Sequence, residues 1–310
     1  MNDGFKIRRK TCRIQLGNGT SRQMRSRIGF ARNRVKAGYY LFSNCMSQPA
    51  TKRRSLAQRL QQERGRVWVV GHRGAMGYRP ENTLASYEHA LALGADWIEC
   101  DCHLSRDGAL VVMHDETVDR TTNGHGLVRD HTLQELKQLD AGAWFAPEYA
   151  GQRVLTVEEL LDFARGRDTV LDIEIKNAPL YYDGIEEAVV NALARTNMAD
   201  QAIVISFDHR AVGKVKALNE RVATGVLYAG RPADGGLGLA KQVNADALLP
   251  HYAYVTREDV DAAHAAGLSV APWATSDPAI LRQLIQAGVD GIGTNHPDVL
   301  RSLLHDGARQ

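Results

Sequence analysis

Residues 67–103 of the chain read VWVVGHRGAMGYRPENTLASYEHALALGADWIECDCH. A β-rich run at Val67–Gly71 is followed by a helical stretch at Asn82–Leu93 and by a second β-rich run at Trp97–His103. Gly94 follows the helical stretch directly, where a left-handed C-cap favours glycine, and Asn82 is a good N-cap residue. The stretch therefore predicts one strand–helix–strand unit of an α/β fold.

The same alternation continues to the end of the chain. Six further β-rich runs follow, at Val170–Ile175, Ala202–Ser206, Ala223–Leu227, Ala247–Pro250, Leu268–Pro272 and Gly291–Gly293. Helical stretches lie between the runs, at Thr156–Arg165, Gly184–Arg195, Arg210–Leu218, Leu237–Val243, Arg257–Ala266 and Pro278–Ala287. Eight strands separated by helices over about 240 residues predict a (β/α)₈ TIM barrel. A doubly wound open sheet is the alternative, but no Gly-x-Gly-x-x-Gly loop follows any of these strands.

One segment interrupts this regular pattern. Val111–His114 reads as an extra strand, close enough to Trp97–His103 to form a hairpin around Asp107-Gly108. Residues 115–156 are the longest excursion from the alternation. The sequence therefore predicts a small inserted hairpin and a cap region at the mouth of the barrel.

The charge of the chain is divided between two parts. Residues 1–66 contain 17 Lys and Arg against 2 Asp and Glu, a net charge of +15, and the remaining residues carry −13. We predict that residues 1–66 form a basic, disordered leader with one short helix at Ser55–Arg64, and that residues 67–310 form the barrel domain. The leader lacks the apolar run of a secretory signal. An organelle transit peptide, a basic arm for nucleic acid or anionic membrane, and a natural start at Met46 remain open.

The composition excludes several classes of protein. The chain of 310 residues is 44% hydrophobic and 24% charged, as in an ordinary soluble domain, and no apolar run of about 18 residues predicts a membrane-spanning helix. The acidic body argues against nucleic-acid binding, and no membrane contact is indicated. Four cysteines make no disulfide framework, so Cys100 and Cys102 are expected to be buried thiols in a reducing compartment. We expect a cytoplasmic location, or an organelle if the leader is a transit peptide.

Polar side chains gather at the predicted carboxyl ends of the strands, where the active sites of such barrels are built. His72 and Arg73 follow the first strand, and His114 ends the hairpin strand. Because side chains alternate along a strand, Glu99, Asp101 and His103 share one face of the second strand. By the same rule the next strand, at Val170–Ile175, presents Asp172, Glu174 and Lys176.

Carboxylates that converge inside a barrel require a cation between them, because burying unpaired charges is costly. Oxygen ligands favour Mg²⁺ or Ca²⁺ over zinc, so the sequence predicts one divalent metal. Two histidines, an arginine and a lysine lie beside the predicted metal. This set suggests a displacement reaction at phosphorus in which the histidines transfer protons. The alternative is a layer of salt bridges that involve Arg73 and Lys176 and need no metal.

Several motifs carry a family resemblance. Gly71-His72-Arg73-Gly74, Pro80-Glu81-Asn82-Thr83, Glu99-Cys100-Asp101, His114-Asp115 and Glu174-Ile175-Lys176 occur in this order. Together they resemble the glycerophosphodiester phosphodiesterases over about residues 67–300. The resemblance implies metal-dependent hydrolysis of deacylated phospholipids to sn-glycerol 3-phosphate and an alcohol. In the mechanism proposed for this family, the neighbouring glycerol hydroxyl attacks phosphorus before water opens a cyclic intermediate.

The resemblance also implies residue roles. The metal ligands would be Glu99, Asp101 and Glu174, the acid/base pair His72 and His114, and the phosphate contacts Arg73 and Lys176. His251 and Trp273, after later strands, are candidates for the pocket lining. Asp172 and His103 have either structural or functional roles, and Glu81 is a candidate to orient His72.

Two stretches depart from the pattern usual in this family. Trp273-Ala274-Thr275-Ser276 stands where Trp-Thr-Val-Asn is usual, and Thr294-Asn295-His296-Pro297 stands where Thr-Asp-x-Pro is usual. Two other functions are considered, a lysophospholipase D-like enzyme and a non-catalytic barrel that binds metal or phosphodiesters. The first would need an apolar approach to the site, and the second would be signalled by a missing histidine or carboxylate.

Overall fold

The computed structural model describes residues 55–307. The leader predictions for residues 1–54, which are disorder, a transit peptide, a basic arm and a start at Met46, lie outside the described residues. Nine strands are present in the described part of the chain: β1 Trp68–Gly71, β2 Trp97–Leu104, β3 Leu110–Val112, β4 Val170–Ile175, β5 Ala202–Ser206, β6 Ala223–Tyr228, β7 Ala247–Pro250, β8 Ser269–Val270 and β9 Gly291–Thr294.

Eight of these strands form a nearly closed parallel barrel. Their order in the sheet is β8-β7-β6-β5-β4-β2-β1-β9, and β3 pairs antiparallel with β2. Between β8 and β9, backbone hydrogen bonds replace a regular ladder, from Asp290 N to Val270 O at 2.8 Å and from Gly293 N to Pro272 O at 2.9 Å. The predicted barrel with an inserted hairpin is therefore confirmed.

Helices surround the barrel and complete the (β/α) alternation. Within residues 55–307 they are α1 Leu56–Gln62, α2 Leu84–Ala92, α3 Leu133–Leu136, α4 Val157–Ala164, α5 Ile185–Thr196, α6 His209–Leu218, α7 Leu237–Val243, α8 Arg257–Ala265, α9 Pro278–Ala287 and α10 Pro297–Gly307. Gly94, Gly267 and Gly288, which follow predicted helices, all have φ between 85° and 87°. This is the left-handed conformation expected of glycine at a helix end.

Two local predictions differ from the structure. Strand β8 was expected over Leu268–Pro272 but is regular only at Ser269–Val270, because Pro272 has no backbone N–H for a ladder. The predicted N-cap of α2 at Asn82 is wrong, since the hydroxyl of Thr83 accepts from Ser86 N instead. Asn82 lies in the left-handed region with φ 58°, which asparagine tolerates.

Helix α1 closes the end of the barrel opposite the carboxyl ends of the strands. Its Leu56 and Leu60 are buried in a cluster with Trp68 and Trp97, which begin β1 and β2. The hydroxyl of Ser269 donates to Leu60 O at 3.2 Å. The short helix predicted at Ser55–Arg64 is thus present and is part of the core beneath the barrel.

The alternation of side chains in β2 and β4 places the polar residues inside the barrel. Ile98, Cys100 and Cys102 belong to the core between the sheet and the outer helices, and both cysteines are free and buried, as expected. Glu99 and Asp101 therefore point to the opposite face. The cap, residues 115–156, has its own small core, in which Val118, Val128 and Leu136 pack beside β3.

Candidate active site

Three carboxylates meet at the carboxyl end of the barrel. Asp101 on β2 is the register partner of Glu174 on β4, and Glu99 lies two residues earlier on β2. One oxygen from each of the three lies within 4.8 Å of the others. The convergence predicted from period-two alternation is therefore present in the structure.

The donor set fits a hard divalent cation. Asp172 is close behind the three carboxylates, so four acidic groups share the site with Arg73 and Lys176. Of these described groups, Asp101 Oδ1 and Asp172 Oδ1 are buried oxygens without a hydrogen-bond donor. An excess of buried negative charge with unpaired oxygens is what a bound Mg²⁺ or Ca²⁺ would neutralise.

The pKa values of the carboxyl groups reflect this crowding. Burial raises the pKa of Glu174 to about 7, and burial together with Asp101 raises that of Glu99 well above its usual range. Asp101 behaves differently, because Arg73 and Lys176 outweigh burial and lower its pKa to about 2. Without a cation, the protein therefore accommodates only part of the negative charge that the site can carry.

Arg73 and Lys176 also form ion pairs with the carboxylates, as the alternative of a salt-bridge layer without a metal predicts. Lys176 Nζ lies 2.8 Å from Glu174 Oε1 and 3.6 Å from Asp101 Oδ1. Arg73 Nε lies 3.4 Å from Asp101 Oδ2, within ion-pair distance but without hydrogen-bond geometry. These ion pairs leave Asp101 Oδ1 and Asp172 Oδ1 without a hydrogen-bond donor, so they neutralise the cluster only in part.

The turn after β1 is shaped to bring Arg73 over the carboxylates. Arg73 has φ 50°, and its backbone N donates to Glu99 Oε2 at 2.7 Å. A Cβ on Gly71 would lie 2.6 Å from the carbonyl oxygen of Gly74, so this tight turn needs glycine there. A non-glycine residue at positive φ is strained, and such strain is common at functional sites.

His72 is held by an amide. Its Nδ1 lies 2.8 Å from Asn295 Oδ1, and because an amide oxygen only accepts, Nδ1 carries the proton and Nε2 keeps a lone pair. Burial, and then the charge of Arg73, lower the pKa of His72 to about 4. At neutral pH His72 is therefore an uncharged base.

His114 is held by a carboxylate instead. Its Nδ1 lies 2.7 Å from Asp115 Oδ1. Burial, Lys176 and Arg73 lower the pKa of His114, while Asp101 and Asp115 oppose them. His103 Nε2 lies 3.2 Å from the carbonyl oxygen of His114, so of its two possible roles the structure favours the structural one.

One cavity is lined by most of the predicted site residues and by apolar side chains. Its charged side is lined by His72, Arg73, Glu99, His114, Asp172, Glu174 and Lys176. Its other side is apolar and comes from the later strands, with Ile205, Phe207, Leu227, Leu249 and Trp273. The candidate Trp273 thus lies in the wall, whereas His251 packs behind it at a ring-centroid distance of 4.9 Å.

Three residues near the site had no firm role in the sequence analysis. Asn295 contacts His72, and Asn82 Nδ2 donates to Asp101 Oδ2 at 2.9 Å. Glu81, considered as a partner of His72, binds Arg73 instead, at 2.8 Å from Nη1. Two signals were available in the sequence: Asn295 directly follows a strand end, where side chains face the barrel mouth, and it departs from the usual family pattern.

Comparisons with known proteins agree with this geometry. A sequence model of the Glycerophosphoryl diester phosphodiesterase family matches residues 72–299. A glycerophosphodiester phosphodiesterase of Caldanaerobacter subterraneus subsp. tengcongensis is 40% identical over 77% of this chain and 98% of its own length. One from Bacillus subtilis is 37% identical over 77% of this chain and 86% of its own.

A solved structure is similar as well. An Oleispira antarctica phosphodiesterase, in complex with the product sn-glycerol-3-phosphate, superposes with a TM-score of 0.70 at 30% identity, over 77% of this chain and 96% of that one. The family match covers most of the barrel and contains every residue assigned to the charged side of the cavity. The chain therefore belongs to the glycerophosphoryl diester phosphodiesterase family.

Proposed function

We propose that the chain hydrolyses glycerophosphodiesters to sn-glycerol 3-phosphate and an alcohol, with a divalent cation bound by Glu99, Asp101 and Glu174. The observation that carries this proposal is the convergence of Glu99, Asp101 and Glu174 beside a cavity that both His72 and His114 line. The names of the relatives and the product bound in the Oleispira antarctica structure support the same reaction.

The cation would supply positive charge for the phosphoryl oxygens. Arg73 and Lys176 line the same side of the cavity and are the residues that would hold the remaining phosphate oxygens. The planar guanidinium of Arg73 suits two-point binding of phosphate, and Lys176 contributes a point charge. Both side chains now contact carboxylates, which keeps them extended toward the site.

The two histidines have different partners and therefore different roles. His72, uncharged at neutral pH and with Nε2 unprotonated, would take the proton from the attacking hydroxyl. His114 would donate a proton to the leaving oxygen, and the carboxylate of Asp115, 2.7 Å from Nδ1, would hold the ring in place for this transfer. Whether the attacking hydroxyl belongs to the glycerol or to water is decided by trapping a cyclic phosphate product.

A lysophospholipase D-like activity is the second candidate, and the apolar side of the cavity favours it. Ile205, Leu227 and Leu249 offer no polar side-chain atoms, and Phe207 is exposed at the same wall. An alcohol or substituent rich in methyl or methylene groups fits this side better than one that needs hydrogen bonds. Within residues 55–307, the helices are too short or too polar to cross a membrane.

An assay of the purified protein tests the proposal. Glycerophosphocholine, glycerophosphoethanolamine and lysophosphatidylcholine are incubated with EDTA, Mg²⁺ or Ca²⁺, and release of glycerol 3-phosphate and of the free alcohol is followed. Cation-dependent release that is lost in His72→Ala but kept in His125→Ala supports it, because His125 is 89% exposed on the cap. Absence of release under every condition from folded protein would refute the hydrolase. The cytoplasmic location stays a separate prediction, which fractionation of cells tests.

A further inference from the structure

Arg120, a residue of the cap, binds two carboxylates at once. Its Nη1 and Nη2 lie 2.7 and 2.9 Å from the two oxygens of Glu81. Its Nε and Nη2 lie 2.7 and 3.0 Å from the two oxygens of Asp115. One guanidinium therefore fixes the position and the plane of both carboxylates.

Each of these carboxylates also accepts a hydrogen bond from a residue that lines the cavity. Glu81 Oε1 accepts from Arg73 Nη1 at 2.8 Å, and Asp115 Oδ1 accepts from His114 Nδ1 at 2.7 Å. The contacts form an unbroken series of hydrogen bonds, His114–Asp115–Arg120–Glu81–Arg73. This series joins a histidine of the hairpin to the arginine of the turn after β1.

The burial of Glu81 restricts the movement of the side chains in this series. The Glu81 side chain is 3% exposed, so its charge depends on both arginines. Burial alone would raise the pKa of Glu81, but the hydrogen bonds and charges of Arg120 and Arg73 lower it. Glu81 thus stays ionised. If either arginine moved away, the buried carboxylate of Glu81 would lose part of the positive charge that stabilises it.

From these contacts we infer that Arg120 is a positioning residue, which sets the separation of His114 and Arg73 through Asp115 and Glu81. The inference rests on the proposed function, in which His114 and Arg73 act on the same phosphodiester. Arg120 is not among the residues that line the cavity, so it acts through its two carboxylates. Because the residue belongs to the cap, the seating of the cap on the barrel becomes a condition for an ordered site.

The side-chain chemistry predicts which substitutions fail. Arginine has five N–H groups in one plane and can satisfy two carboxylates at the same time. Lysine would keep the charge but could not hold both carboxylates in fixed planes. We therefore expect Arg120→Gln to lower kcat by about 10- to 100-fold, as removal of a supporting partner typically does, and Arg120→Lys to recover little of the loss.

Arg106→Gln is the matched control. Arg106 also binds a carboxylate of the cap, Glu135, at 3.1 Å, but Glu135 contacts neither His114 nor Arg73. A merely structural role would lower the folded fraction and leave the kcat of the folded enzyme unchanged. Melting curves and kcat are therefore measured together for the wild type, Arg120→Gln, Arg120→Lys and Arg106→Gln.

A second readout does not depend on turnover. The Nδ1 proton of His114, hydrogen-bonded to Asp115, should give a downfield proton resonance that is absent in His114→Ala. We expect this resonance to be lost or broadened in Arg120→Gln and kept in Arg106→Gln. A wild type without activity would refute the proposed function, and the resonance would still decide the role of Arg120. An Arg120→Gln enzyme with kcat within twofold of wild type, or with an unchanged resonance, would overturn the inference.

Discussion

Replacing Leu60 by alanine tests whether helix α1 belongs to the barrel fold. Leu60 is 4% exposed and lies under the barrel against Trp68 and Trp97. A small void already adjoins it, lined by Trp68, Trp97 and Ala247 among others. The cavity made by Leu60→Ala would merge with this void, and incomplete relaxation places the cost in the upper part of the usual range, about 3–5 kcal/mol.

The assay is thermal unfolding followed by circular dichroism. For a domain of this size, each kcal/mol lowers Tm by about 2–4 °C, so Leu60→Ala should melt roughly 10 °C below wild type. Gln61→Ala, an exposed change on the same helix, is the control and should change the free energy of unfolding by less than about 0.5 kcal/mol. Turnover well below Tm should be unchanged, because the carboxylate cluster of Glu99, Asp101 and Glu174 lies at the opposite end of the barrel.

The refuting result is a Tm of Leu60→Ala within about 1 °C of wild type. It would mean that α1 does not contribute to the barrel core. The expected result would instead mean that the barrel domain begins before residue 67, where the composition of the sequence places its boundary. Gly65 N, which donates to Asp290 Oδ1 at 2.8 Å, would then also count as part of the domain.

Three further predictions concern the site and the core. Asn295→Asp should raise the pKa of His72 from about 4. In the proposed mechanism the neutral ring is the active form, so the acid limb of kcat/KM should move to higher pH, and an unmoved limb would argue against His72 as the base. Asp101→Asn should weaken Mg²⁺ or Ca²⁺ binding by about 10-fold or more in calorimetry, and equal affinity would place the cation elsewhere. Cys100 and Cys102, whose pKa values burial raises, should resist alkylation in the native protein, as mass spectrometry of the peptides would reveal.

The convergence of the three carboxylates was predictable because it depends on regular structure. Period-two alternation puts Glu99 and Asp101 on one face of β2, and parallel pairing then brings Glu174 beside Asp101. Such geometry follows from the strand assignment alone. The barrel itself was predictable for the same reason, since eight strands alternating with helices have few ways to bury their apolar faces.

The contacts that support these groups were not predictable, because they form between loops distant in the sequence. Asn295 reaches His72 across 223 residues, and Arg120 reaches Glu81 across 39. Loop conformation has no simple periodicity from which such meetings could be derived. Asn82 illustrates the limit: its residue type suits a helix N-cap, but tertiary contacts use its amide for Asp101 and leave the cap to Thr83.

The division of the cavity into a charged and an apolar side has a consequence for inhibitor chemistry. A phosphonate, in which a carbon replaces the leaving oxygen, cannot be cleaved at that bond and keeps the anionic oxygens that Arg73 and Lys176 would hold. The alkyl chain beyond that carbon would face Ile205, Leu227 or Leu249, whose side chains form no hydrogen bonds. Short alkyl phosphonates are therefore the scaffold that this cavity favours, with potency that should rise with each methylene until the apolar wall is covered.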